Sequence, residues 1–165
     1  MEPVVLFGIQ FTMSLVAYAL IGFWYVRPRL AGRTVEAAVV PLLWVHVFRV
    51  VGGTILAPGA VDPAVAEEFR TMVGLGDLST AVLALVALIA LRRRSSGAIG
   101  LVWLCIGVGL LDTVNAIVQS VRFSVFDHPL GVNWVIVTMY VPALLISSLL
   151  IVMQLIRPRR DSTSS

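Results

Sequence analysis

His46 and Arg49 are the first residues in the chain whose types and position could do chemistry. They lie in the middle of a long apolar run, Val35 to Leu56. A spacing of three residues places both side chains on one face of a helix. Ionisable groups inside a membrane are costly unless another group compensates them, and they commonly mark functional sites. The pair therefore predicts that polar or acidic partners lie in other apolar segments.

Two aspartates in later apolar runs, Asp77 and Asp112, are the predicted partners of Arg49. A guanidinium group matches the geometry of a carboxylate and can bind it in a bidentate manner. One arginine and two ionised aspartates leave a negative charge, which a protonated His46, a protonated carboxyl group or a bound cation would balance. Because histidine is the side chain most easily switched near neutral pH, we expect His46 and one aspartate to share a proton or to face a ligand.

Further polar residues fall in the same layer of the predicted bundle. Asp112, Asn115 and Gln119 are spaced i, i+3 and i+7, so they form one stripe along a helix. Counted from the outer ends of the apolar runs at about 1.5 Å per residue, seven positions lie about 9 to 15 Å deep: Asp77, Asn115, Gln10, Arg49, Tyr140, Asp112 and His46. They predict a polar, ligand-binding or proton-linked pocket in the outer half of the membrane. Its predicted lining is His46, Arg49, Asp77, Asp112, Asn115, Gln119, Tyr140 and Gln10.

Five apolar runs position these residues. The chain has 165 residues, of which 59% are hydrophobic and 13% charged, whereas soluble domains are about half apolar and about a quarter charged. The pattern predicts an all-α integral membrane protein, a bundle of five transmembrane helices in a single domain at residues 1–160. The predicted spans are 4–26, 35–56, 72–91, 98–121 and 132–156, with an amphipathic surface segment at 62–70 and a disordered tail at 161–165.

Charges between the spans predict the orientation. All twelve basic residues are arginine, and nine of them follow spans one, three and five. The opposite side is mainly acidic, with only Arg70 and Arg122 as basic residues. The positive-inside rule then places the N-terminus outside and the C-terminus in the cytoplasm. The use of arginine without lysine, in a chain rich in Ala, Val, Leu and Gly, indicates a bacterial source and thus the cytoplasmic (inner) membrane. We predict no nucleic-acid partner, because topology explains the arginines.

The predicted function is binding or translocation of a small ligand or a proton from the outer side, with the lipid bilayer and a small-molecule or lipid-like ligand as partners. One alternative is a structural clamp that fastens the helices together. A second is an accessory subunit of a larger membrane complex, or a homo-oligomer. A third, less favoured, is an intramembrane enzyme that acts on a lipid-like substrate. No catalytic residue and no cofactor is predicted, and no metal, because dense ligand motifs are absent.

Overall fold

Five long helices make up almost all of residues 2–157, which are the part of the chain that the computed structural model describes. They are α1 (Pro3–Leu30), α2 (Val35–Leu56), α3 (Glu67–Arg92), α4 (Ala98–Arg122) and α5 (Val132–Leu155). Residues 2–157 contain no strand. Even the shortest helix, α2, has 22 residues. Its last nine residues, Phe48–Leu56, which include Arg49, form a 3-10 helix. Because the 3-10 rise per residue exceeds that of an α-helix, α2 is longer than about 33 Å and could cross the hydrocarbon of a bilayer. The prediction of an all-helical chain with five helices apolar enough to span a membrane is confirmed for these residues.

Helix bounds differ from the predicted spans at two places. α3 begins at Glu67, so residues 67–70 of the predicted surface segment are its first turn and residues 62–66 are the connection. α1 continues past the predicted end at residue 26, through Pro28, to Leu30. The predicted disordered tail at 161–165 lies outside the described residues.

Wider helical turns explain why two prolines do not break their helices. Gly22–Val26 forms a π-helical turn in which the Arg27 N–H donates to the Gly22 carbonyl, five residues back. Ile136–Tyr140 forms the same turn, two residues before Pro142. Proline lacks an N–H and its ring clashes with the carbonyl four residues back. A π-helical turn relieves this conflict without ending the helix.

The helices pack in an order that differs from the order of the chain. α2 lies between α3 and α5, and α4 packs along α3. α1 packs on the outside of α5, and none of its residues Pro3–Ile21 is buried.

Two apolar cores lie at opposite ends of the bundle and leave a layer between them. One core includes Leu43, Leu88 and Ile106. The other includes Ile55 and Phe69, together with parts of the α4–α5 connection. Along α2, α3 and α4, the ionisable residues of the predicted site fall between these two cores.

Candidate functional site

Arg49 on α2 joins three helices through its guanidinium group. Nε donates to Asp77 Oδ1 on α3, and Nη2 donates to Asp112 Oδ2 on α4 at 2.6 Å. Nη1 donates to the Gly109 carbonyl at 3.0 Å, and Nη2 also donates to Thr113 Oγ1 at 3.1 Å. Four of the five guanidinium donors are therefore bonded, in a side chain whose residue is only 4% exposed. The expected pairing of Arg49 with a carboxylate is present, and it involves both aspartates.

Each aspartate gives one oxygen to Arg49 and leaves the other free of hydrogen bonds within residues 2–157. The side chains of Asp77 and Asp112 are 15% and 13% exposed, more than that of Arg49. The carboxylates, rather than the guanidinium, are therefore the part of the network that reaches the surface of the bundle.

Glycines make room for the network at three positions. A Cβ atom at Gly52 would overlap the Asp77 carboxylate, and one at Gly76 would overlap the Asp112 carboxylate. A Cβ atom at Gly109 would lie 3.2 Å from Arg49 Nη1. Side chains at these positions would push the charged groups apart, so close approach of the helix backbones is a condition for the ion pairs.

Two threonine hydroxyls complete the surroundings of the network. Thr113 Oγ1 accepts from Arg49 and donates to the Gly109 carbonyl at 2.8 Å. Thr80 Oγ1 donates to the Gly76 carbonyl at 2.9 Å. Sequence reasoning named neither Thr113 nor Gly109 as a site residue. The four-residue spacing of Gly109 and Thr113, which directly follows Asp112, was the available signal.

His46 lies one turn before Arg49 on α2 and is 1% exposed. Neither Nδ1 nor Nε2 has a hydrogen-bond partner. Because a neutral imidazole carries one donor and one acceptor, and an imidazolium two donors, either state leaves both nitrogens unsatisfied. Buried polar groups without partners are rare in native structures, so His46 is the least satisfied ionisable group beside the network.

Tyr140 on α5 approaches the same region of α2 but does not bond to the aspartates. Its hydroxyl donates to the Val45 carbonyl. About two turns further along α5, the Ser147 hydroxyl donates to the Leu42 carbonyl at 3.0 Å. These contacts fix α5 against the segment of α2 that carries His46.

The remaining predicted residues have other neighbours. Asn115 is exposed and donates to Met72 Sδ at 3.1 Å, and exposed Gln10 accepts from Trp134 Nε1 at 2.6 Å. Gln119 Oε1 is buried without a hydrogen-bond partner. The eight predicted residues therefore do not form one hydrogen-bonded set. Arg49, Asp77 and Asp112 do, and His46 is adjacent along α2, whereas the other four make no hydrogen bond to these three side chains.

No group of three or more His, Cys, Asp or Glu side chains in residues 2–157 has an arrangement suited to a metal ion. The ionisable part of the site is thus one guanidinium between two carboxylates, with one imidazole nearby. Such a site can bind or exchange a proton, and it can hold a small cation at the free carboxylate oxygens.

Fold and site together define a class: an all-helical protein with five helices long and apolar enough to span a membrane and a buried Arg–Asp network between three of them. Residues 6–156 match the family described as "Domain of unknown function (DUF8737)", and the chain belongs to this family. Comparisons with curated proteins and with solved structures give no match.

Proposed function

We propose that this protein spans the bacterial cytoplasmic membrane, N-terminus outside, and binds or translocates a proton or a small ligand at the Arg49–Asp77–Asp112 network. One observation carries the proposal. The single positive charge of Arg49 is bonded to two carboxylates, so the charges sum to +1 − 1 − 1 = −1 when both are ionised. An unbalanced charge in a membrane interior costs several kcal/mol. A proton or a small cation that enters the network removes this cost.

The other groups near the network do not neutralise it. Tyr140 is committed to the Val45 carbonyl, and Cys105 Sγ lies 3.9 Å from the Thr80 carbonyl. Among the residues near the network that the structure describes, His46 is the remaining side chain that could accept and pass on a proton. In the resting protein, the neutralising proton is bound by Asp77 or Asp112. During translocation, His46 accepts this proton transiently.

The charge count makes a sharp test. Asp77→Asn or Asp112→Asn leaves one carboxylate for one guanidinium, so each single variant should fold and should no longer need the proton. In proteoliposomes with an internal pH indicator and an imposed membrane potential, the unmodified protein should take up protons and both variants should not. Infrared spectra should show the carbonyl stretch of a protonated carboxylic acid in the unmodified protein and no such band in either variant.

Matched variants separate the roles of the residues. Asp127→Asn, in the α4–α5 connection, changes an exposed aspartate and should leave uptake unchanged. His46→Gln should retain the infrared band, because both carboxylates remain, but should slow the flux. If the unmodified protein shows neither proton uptake nor the band, or if both persist in the two asparagine variants, the proposal is wrong.

A structural clamp is the second candidate, and the four bonded donors of Arg49 favour it. A clamp holds α2, α3 and α4 together without proton exchange. It predicts a loss of stability in the asparagine variants with no proton-dependent signal in the unmodified protein, which is the opposite of the outcome expected above.

A further inference from the structure

A second feature of the bundle lies at the opposite end from the Arg49 network. A groove with a volume of about 890 Å³ opens between α2, the last part of α3 and the start of α4. Its wall on α2 is formed by Ala37, Val40 and Trp44, spaced i, i+3 and i+7, so these side chains share one face. The wall on α3 is formed by Leu85, Leu88 and Ile89, which share a face in the same way.

The groove is polar at one end and apolar along its length. Its mouth is formed by Arg92, Arg94, Ser95 and Ser96 at the turn between α3 and α4, all of which are exposed. From Arg92 back to Leu85 the wall runs seven residues, or about 10 Å. Because α2 and α3 run in opposite directions, Ala37 lies near the mouth and Trp44 at the apolar end.

Charge at the mouth selects the kind of ligand. Arg92 and Arg94 contribute two positive charges and Glu36 one negative charge, so the lining sums to +2 − 1 = +1. A singly charged phosphate diester balances this. Arginine is suited to phosphate oxygens because its planar fork can donate two hydrogen bonds at once. The backbone at Arg94 is left-handed, with a φ of 52°. This conformation is uncommon for residues other than glycine, and it limits which substitutions position 94 tolerates.

We propose that this groove binds one anionic glycerophospholipid of the phosphatidylglycerol type. Arg92 and Arg94 hold the phosphate, and an acyl chain lies along the apolar walls toward Trp44. The headgroup is then at the end of the helices and the chain points into the bundle's apolar zone, as in a bilayer leaflet. Clusters of basic residues beside a membrane span attract anionic lipids. The inference requires that the helices span a membrane, and it is independent of the proton site.

Binding can be measured by native mass spectrometry of the full-length protein, released from detergent that contains phosphatidylglycerol or phosphatidylcholine with the same acyl chains. We expect one phosphatidylglycerol molecule to be retained in preference to phosphatidylcholine. Arg92→Gln combined with Arg94→Asn should weaken retention about 25-fold, since each basic residue near an anionic lipid contributes about a factor of five. Asn is chosen at position 94 because it tolerates the left-handed backbone.

The chain offers a matched control in the same turn. Arg93 is exposed and does not line the groove, so Arg93→Gln should retain the lipid like the unmodified protein. Ala37→Trp should fill the groove near its mouth and abolish retention without removing any charge. Thermal unfolding in detergent checks that all variants are folded.

Three results would overturn the inference. The first is equal retention of phosphatidylglycerol and phosphatidylcholine by the unmodified protein. The second is retention in the double arginine variant equal to that in Arg93→Gln. The third is full retention in a folded Ala37→Trp variant, which would place the bound lipid elsewhere on the bundle.

Discussion

Arg49 holds together the polar layer between the two apolar cores. Its side chain is almost completely buried and donates four hydrogen bonds to two other helices. Removing one member of a buried ion pair leaves an uncompensated charge, which is far more costly than replacing the whole pair by neutral groups. The stability lost when Arg49 alone is replaced can therefore be compared with the stability lost when Arg49 and both aspartate charges are removed together.

Arg49→Met should therefore lower the free energy of unfolding by about 3 to 5 kcal/mol, because Asp77 and Asp112 lose their counter-charge. Arg49→Met combined with Asp77→Asn and Asp112→Asn should recover much of this loss, since no charge is then left in the layer. Denaturant unfolding in detergent micelles, followed by circular dichroism, measures both effects.

Arg27→Met is the control for the arginine series, because Arg27 is exposed; its effect should be within about 0.5 kcal/mol. A triple variant that is no more stable than Arg49→Met alone would contradict the role of charge balance in this layer.

At the scale of the elements, glycines decide how closely α2, α3 and α4 approach one another. Gly52 and Gly76 each lie against the carboxylate of a neighbouring helix. Gly52 contacts Asp77, and Gly76 contacts Asp112. The two residues of each pair are on different helices and far apart in the chain, so these contacts depend on how the helices pack.

Gly52→Ala and Gly76→Ala should each destabilise the protein by about 1 to 3 kcal/mol, because the added methyl group overlaps a carboxylate that cannot move without breaking its bond to Arg49. Thermal unfolding in detergent measures the change. Gly107→Ala is the matched control, since a Cβ atom there meets nothing within 4 Å and alanine favours the helix by up to about 1 kcal/mol. Equal stability of all three variants would mean that the glycines do not hold the network open.

At the scale of the whole molecule, the two apolar cores and the layer between them fit a protein whose ends lie at the two surfaces of a membrane. The Arg92–Arg94 turn is at one end, and the α2–α3 and α4–α5 connections pack together at the other, where the Asp62 N–H donates to the Pro129 carbonyl at 3.0 Å. The proposed orientation places the first end in the cytoplasm and the second outside.

Single cysteines test this orientation. Cys105 is buried, so Cys105→Ala provides a background without a native thiol. In intact cells, a membrane-impermeant maleimide should label Asp127→Cys in that background and should label Ser96→Cys only after the membrane is permeabilised. The reverse pattern would invert the topology, and labelling of both sites in intact cells would contradict the proposed spans.

The sequence alone determined the features that depend on local composition. Apolar runs long enough to cross a bilayer predict the five helices, because lipid leaves no other way to satisfy backbone groups over that length. Charge arithmetic within those runs predicts that Arg49 pairs with a carboxylate. The α2 bounds, Val35 to Leu56, agree with the predicted span, whereas α1 passes through Pro28 because a π-helical turn, which has no clear sequence signature, absorbs it.

Only the tertiary structure decided which polar residues meet. Helical periodicity fixes the face of a side chain on its own helix, but not which helices are neighbours or how they are rotated about their axes. Arg49 therefore meets Asp77 and Asp112 together, while Asn115, on the same predicted stripe as Asp112, is exposed and contacts Met72 instead. The close packing allowed by Gly52, Gly76 and Gly109 sets these distances, because the backbones can approach only where no side chain separates them.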